Sequence, residues 1–241
     1  MQAVILAAGK GTRMRPLTSK LPKPLLQIGG QRILEHTIDQ LHGIVDEVIL
    51  VVGYRGNLVQ KSFRDQYKGM KMTYAWQKEQ IGTGHAAQKA LPYLKGPFLL
   101  LYGDDVYYKS DIIKVIKHCP SLLLGKTSNP SQFGVVQTKG KWVTGIVEKP
   151  KNPRSSLVNA GVYFVDPSIF RVKLKKSKRG EYEFTDYIKA LLKKGKRVAF
   201  HVTDRWQPLT TPENLREARL ALMHRHESSF LKRERRLDKG D

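Results

Sequence analysis

The sequence predicts an α/β fold: a mostly parallel sheet covered by helices on both faces. Two observations carry this. Short apolar runs at 3–6, 47–53, 72–76 and 98–102 are unbroken, as strands buried on both faces are. Segments with helical periodicity alternate with them in βαβα order, which calls for crossover connections and a parallel sheet. At 241 residues the chain is long enough to bury one full core without disulfides, and a single main domain is expected over 1–225, with a basic C-terminal extension at 226–241.

The elements follow in order. Residues 3–6 read as the first strand, and 31–42 as a helix with Ile33, Leu34, Ile38 and Leu41 on one face. Residues 47–53 (Glu-Val-Ile-Leu-Val-Val-Gly) are a buried strand, 57–67 a helix, 72–76 a strand, 83–91 a helix, and 98–102 the most apolar strand, ending at Gly103-Asp104-Asp105. A helix at 111–118 comes next. Shorter strands at 134–138, 142–148 and 160–165, broken by Gly, Pro and Asn, are expected at the sheet edge on the substrate side. A helix at 184–194 and a strand at 197–202 precede a last helix, announced by Thr211 as cap and Pro212 at the first helical position. The basic segment Lys232-Arg233-Glu234-Arg235-Arg236 reads as a frayed extension of that helix.

Formal net charge is +22, from 43 Lys and Arg against 21 Asp and Glu. Such a field attracts polyanions, from nucleic acid to small phosphorylated substrates. No aromatic-basic repeat or helix-turn-helix pattern accompanies it, so nucleic acid is not the expected partner. No apolar run approaches the roughly 20 residues of a membrane span, so no membrane partner is expected. The lone Cys119 excludes an internal disulfide, and the start lacks a secretory leader. A cytoplasmic location is expected.

The first strand runs into Leu6-Ala7-Ala8-Gly9-Lys10-Gly11-Thr12-Arg13, with Pro22-Lys23-Pro24 downstream. Gly9 and Gly11 permit a sharp turn that brings N–H groups to an anion, and Arg13 and Lys23 add positive charge on the same side. The spacing is neither G-x-G-x-x-G nor a P-loop. These residues resemble the signature of the sugar-1-phosphate nucleotidyltransferases, and the resemblance extends to about residue 225. It implies a Rossmann-like three-layer α/β/α fold, and attack of a sugar-1-phosphate oxygen on the α-phosphate of a nucleoside triphosphate, UTP or dTTP being the expected donor. The run Glu79-Gln80-Ile81-Gly82-Thr83-Gly84-His85 closely resembles the uracil-binding segment of bacterial N-acetylglucosamine-1-phosphate uridylyltransferases.

The resemblance assigns roles residue by residue. Leu6, Ala7, Ala8, Gly9, Gly11 and Thr12 would receive the nucleotide, while Arg13 and Lys23 act on its phosphates as catalytic cations. Gln77 and Gln80 offer a donor and acceptor pair for a pyrimidine edge, with Gly82 and Thr83 beside them; His85 is expected to pack rather than act as a base. Asp104 stands at the strand end where open α/β sheets place ligands, and matches the aspartate that coordinates Mg²⁺. Asp105 is expected to point away and cap the following turn. Gly134, Glu148, Lys149 and Asn159 match the sugar side, Lys149 on the sugar phosphate. A homo-oligomer is compatible with this reading.

The sequence departs from the family in one place. Where Trp-x-Asp-x-Gly-Thr-Pro is usual, this chain reads Trp206-Gln207-Pro208-Leu209-Thr210-Thr211-Pro212, so Pro208 stands where a second metal-binding carboxylate belongs. Asp204 is the nearest substitute. This departure motivates an alternative, a non-catalytic nucleotidyltransferase-like binding or regulatory module. No C-terminal β-helix of hexapeptide repeats follows.

Overall fold

A computed structural model describes residues 1–220; the expected basic extension and its Lys232–Arg236 segment lie outside the described residues. The elements in chain order are β1 (Gln2–Ala7), β2 (Gln27–Ile28), β3 (Gln31–Arg32), α1 (Ile33–Asp39), β4 (Glu47–Val52), α2 (Gly56–Phe63), β5 (Gln66–Tyr67), β6 (Met70–Trp76), α3 (Thr83–Gln88), β7 (Phe98–Tyr102), β8 (Asp105–Val106) and α4 (Lys109–Val115). Then come β9 (Ser121–Lys126), β10 (Gly134–Lys139), β11 (Trp142–Glu148), β12 (Leu157–Val165), α5 (Phe184–Lys193), β13 (Ala199–Val202), β14 (Gln207–Pro208) and a helix from 212.

Ten strands form the main sheet in the order β10-β11-β13-β9-β12-β7-β1-β4-β6-β5. Its core, β6-β4-β1-β7, is parallel, as the apolar runs predict. The complete sheet is mixed, because β12 enters antiparallel between β7 and β9. Period-two alternation splits each core strand between two apolar layers: Val4 faces α3 and α5, while Ala3 and Ile5 face α1, α2 and α4. Helices therefore cover both faces. A smaller cluster of Met14, Leu26, Ile28, Ile33, Val106 and Leu209 ties the segment after β1 to the C-terminal segment.

Several expectations are corrected. The first helix begins at Ile33, not at 31, because Gly29 and Gly30 at φ 59° and 81° turn a small β2–β3 hairpin ahead of it. The segment 57–67 is broken after Phe63; Arg64 at φ 52° ends the helix and Tyr67 joins a hairpin with β6. Strand β9 was not anticipated: its Leu122–Leu124 run is too short to separate from a helix by period. β12 is not at the edge but inside the sheet, between β9 and β7.

Register sets the site. Ala7 lies opposite Val52 and Val52 opposite Trp76, while Leu6 pairs with Tyr102, so the loops after β1, β6 and β7 leave the same edge. Antiparallel β12 begins at that edge, and Glu148 ends β11 there opposite Gly134.

Candidate active site

These loops enclose one cavity of about 360 Å³. It is lined by Leu6, Ala7, Ala8, Gly9, Gly11, Arg13, Lys23, Gln77, Gln80, Gly82, Thr83, Asp104, Gly134, Glu148, Lys149 and Asn159, every residue anticipated from the sequence except Thr12. Thr12 opens the short 3₁₀ turn Thr12–Met14 and is exposed outside the lining.

Gly11 adopts φ 61°, and a Cβ there would stand 3.0 Å from the Thr18 side chain and 3.2 Å from Lys23 Cβ, so only glycine lets the loop fold onto its neighbours. Thr18 Oγ1 donates to Gly11 O at 2.8 Å and fixes the turn. Among the described residues the N–H groups of Gly9, Lys10 and Gly11 have no protein acceptor, which leaves them for an anion. Arg13 likewise has no internal ion pair. Lys23 is buried, and its ammonium donates to Asp104 Oδ2 at 2.7 Å.

The two carboxylates after β7 both border the cavity and differ in exposure, so Asp105 does not point away from the site as expected. Asp104 faces the cavity with its side chain 42 % exposed. Asp105 is buried and does not cap the following turn: it accepts from Trp206 Nε1 at 3.1 Å and Leu209 N at 3.1 Å, pinning the C-terminal segment to β8. Burial, reinforced by Asp104, raises its pKa to about 7. Pro208 pairs with Asp105 across β8 and β14, and its side chain has no atom that can ligate a metal. Asp204 does not take its place, being 95 % exposed, outside the lining and beside Arg205.

The base-side loop is corrected in its chemistry. Gln77 is buried; its Nε2 donates to Gly82 O at 3.1 Å and lies 3.0 Å from His85 Nδ1. Gln80 Nε2 donates to the carbonyls of Gln77 and Lys78. Both amide nitrogens are thus spent on the protein, and what the pair offers a base is two carbonyl oxygens, not a donor and an acceptor. Gly82, at φ 117°, lies so close to residue 182 that a Cβ would stand 2.3 Å from Tyr182 O. Gly84 N donates to Tyr182 O, and Phe184 N to Thr83 Oγ1, so this loop is fastened to the segment before α5.

That segment brings residues which sequence reasoning missed. Arg179, Glu181 and Glu183 line the cavity, and Arg179 pairs with Glu183 at 3.1 Å, Glu181 at 3.3 Å and Glu148 at 3.9 Å. The alternation Arg179-Gly180-Glu181-Tyr182-Glu183 just before a helix was the available signal. Burial, with Glu148 adding to it, pushes the Glu183 carboxyl up. Burial, then the nearby Arg179, pushes Lys149 down; its backbone takes φ 42° and its N–H donates to Phe133 O at 3.0 Å. Glu148 Oε2 accepts from Thr185 at 3.2 Å, and Asn159 Oδ1 from Gly161 N at 3.0 Å. The cavity therefore gathers Arg13, Lys149 and unpartnered N–H groups with the ion pairs of Lys23 with Asp104 and of Arg179 with Glu148, Glu181 and Glu183.

The chain aligns with known proteins over nearly all of its length. The profile of the nucleotidyl transferase family matches residues 2–225. The bifunctional protein GlmU of Methanocaldococcus jannaschii is 36 % identical over 226 residues, which is 92 % of this chain and 54 % of that protein. The UTP–glucose-1-phosphate uridylyltransferase AglF of Haloferax volcanii is 35 % identical over 230 residues, 90 % of this chain and 95 % of AglF. Among solved structures, a Bacillus anthracis protein assigned as a glucose-1-phosphate thymidylyltransferase superposes with TM-score 0.82 at 27 % identity, covering 92 % of this chain and 94 % of its own. A UDP-glucose pyrophosphorylase complexed with UDP-glucose shares the fold, with TM-score 0.85 over 93 % of this chain and 98 % of that one, at 21 % identity. The chain spans about half the length of the GlmU relatives. With the family profile covering residues 2–225 and two relatives above a third identity, this chain belongs to the nucleotidyl transferase family.

Proposed function

We propose that the protein joins a sugar-1-phosphate to UTP or dTTP, giving a nucleotide sugar and pyrophosphate. The observation that carries this is the single cation-rich cavity, which gathers the loop after β1, the 77–83 loop and the Glu148–Lys149 segment around one space. An oxygen of the sugar phosphate attacks the α-phosphorus, a new P–O bond forms, and the bond to the β-phosphate breaks. The protein's part in such a transfer is positioning and neutralisation of charge.

The N–H groups of Gly9, Lys10 and Gly11 receive the triphosphate, and Arg13, without an ion pair among the described residues, spans two phosphate oxygens as charge develops. Lys23 is held ready by Asp104 and exchanges that carboxylate for a phosphate oxygen. Gln77 and Gln80 accept from the base, which favours one carrying an N–H on its pairing edge. Lys149 and Arg179 hold the sugar phosphate, while Glu148, Asn159 and Glu183 take sugar hydroxyls.

The donor set fits Mg²⁺ in a restricted way. Asp104 is one carboxylate facing the cavity, Asp105 is committed to Trp206 and Leu209, and no group of three or more metal-binding side chains occurs among the described residues. Mg²⁺ is often held by one or two carboxylates plus substrate phosphates and water, so Asp104 with the bound triphosphate would hold it. When bound, the ion supplies neutralisation of phosphate charge.

A pyrophosphate-release screen of nucleoside triphosphates against sugar-1-phosphates, with polyol and alkyl phosphates included, tests the proposal. Release with UTP or dTTP and a sugar phosphate is the expected result. If no pair releases pyrophosphate while a nucleotide still binds, the non-catalytic module is the better reading, and Pro208 its cause.

A further inference from the structure

Chain order conceals a second concentration of positive charge, at the end of the sheet opposite the cavity. Lys139 and Lys141 sit at the tip of the β10–β11 hairpin, and Lys193, Lys194, Lys196 and Arg197 close α5; all six are exposed. The fold fastens the two segments together. Trp142 pairs with Ala199, Val143 N donates to Val198 O at 2.9 Å, and the Arg197 guanidinium lies 5.5 Å from the centre of the Trp142 ring. Among the described residues none of the six cations forms an ion pair, and neither 134–147 nor 187–203 contains an Asp or Glu. A helix C-terminus accounts for one or two cations. Six on two segments fastened together beside a Trp that remains 37 % exposed exceed that.

The shape of the cluster selects its partner. Gly140 at φ 57° and Gly195 at φ 72° form the two tips, and neither has a protein atom within 4 Å of where a Cβ would be, so both project into open space. A nucleic acid strand is usually gripped in a groove with open aromatic faces. Here the two tips project and Arg197 lies over the ring. A projecting set of cations beside a tryptophan matches a flat, negatively charged surface, where Trp sits at headgroup level and Lys and Arg gain from the surface potential.

We propose that this face docks the protein peripherally on an anionic lipid bilayer. No helix among the described residues is long and apolar enough to cross a membrane, so the contact is superficial. Trp142 and Glu148 mark opposite ends of β11, roughly 20 Å apart at strand rise, so docking leaves the cavity open to its substrates.

The test is co-sedimentation of the full chain with vesicles of equal parts phosphatidylcholine and phosphatidylglycerol, against phosphatidylcholine alone, at physiological ionic strength. Two variants of equal charge are compared: Lys139→Gln/Lys141→Gln/Lys196→Gln, and Lys61→Gln/Lys114→Gln/Lys117→Gln, which removes exposed lysines from α2 and the α4 region. Thermal melting confirms that both are folded. The expected result is binding to anionic vesicles only, weakened about a hundredfold by the first variant, at roughly fivefold per charge, and hardly by the second. Equal weakening by both variants would show that overall charge is responsible and overturn the proposal. So would absence of wild-type binding, or binding that depends on these lysines to a uridine oligonucleotide and not to vesicles.

Discussion

Arg13 and Lys23 belong to one motif, yet their surroundings assign them different costs of removal. Arg13 is exposed and has no internal partner among the described residues, so its charge is available to a ligand and does little for the fold. Arg13→Ala should lower kcat by about 10²–10³ with an unchanged melting temperature; wild-type turnover in this variant would remove the loop from the mechanism. Lys23 is buried against Asp104, and its truncation should lower both activity and melting temperature. Pro208 offers a sharper test, because residues paired across antiparallel strands share a face. Pro208→Asp would set a carboxylate beside Asp105, whose pKa burial and Asp104 already raise to about 7. Without metal this like-charge pair should cost up to about 1 kcal/mol. Millimolar Mg²⁺ should recover the lost melting temperature and lower the Mg²⁺ concentration for half-maximal rate. A melting deficit indifferent to Mg²⁺ would mean that the new side chain does not share the ion with Asp104.

At the scale of elements, the loop between β6 and α3 is held by a histidine at the start of the helix. His85 Nδ1 accepts from Gln77 Nε2, so the neutral ring, protonated on Nε2, fixes the amide that also closes onto Gly82 O. Burial, then Lys89, holds the His85 pKa below its ordinary 6.5. A base whose folded pKa is lowered stabilises the fold in full above its unfolded value, and that contribution is lost as pH falls below it. Because the folded ring stays neutral until pH falls below that ordinary value, its contribution to affinity for the nucleoside triphosphate should be constant at and above pH 6.5 and be lost only at lower pH. His85→Asn, which retains an acceptor, should keep more of the wild-type KM than His85→Ala, and a pH profile identical in all three would sink the assignment. Loops of this kind mark the limit of what the sequence displays. Gln77 and Gln80 were identified from residue type and spacing, but which amide atom faces a base depends on Gly82 O and His85, which only the folded loop brings near. Arg179 escaped notice because its partner Glu148 is 31 residues away in the chain, and Glu183 because its place in the cavity follows from that distant pairing. The parallel core, by contrast, was legible in its unbroken apolar runs, and β9 was not, because Leu122–Leu124 has no period of its own.

Across the whole molecule the two ends of the sheet have different electrostatic tasks. The ligand end keeps charge available: Arg13 has no ion pair among the described residues, and Lys23 is held by a half-exposed carboxylate. At the opposite end the exposed cations of the two tips are equally unpaired among the described residues, but the buried carboxylate at the start of β4 is fully satisfied. Glu47, at the start of β4 and 10 % exposed, accepts from Gln2 of β1 at 2.9 Å and Thr73 of β6 at 2.7 Å, and pairs with Lys71 at 3.2 Å and Lys95 at 3.6 Å. It therefore links three adjacent parallel strands where none of the ligand loops can do so. Burial pushes its pKa up, but the hydrogen bonds from Thr73, Gln2 and Lys71 outweigh that and hold it down at about 2. A carboxylate with a lowered folded pKa gives stability that is complete above its unfolded value of 4.5 and is lost as pH falls towards 2. Glu47→Gln should consequently destabilise the protein by about 1–3 kcal/mol at neutral pH, the usual cost of a disrupted buried polar network. The same variant should unfold with a shallower dependence on pH between 4.5 and 2, since it has no carboxylate there to protonate. Kinetic constants should be unaffected at temperatures where both proteins are folded, because the network lies at the far end of β4 from the cavity. Urea titrations across that pH range check the prediction: parallel curves for variant and wild type would place the acid-sensitive carboxylate elsewhere.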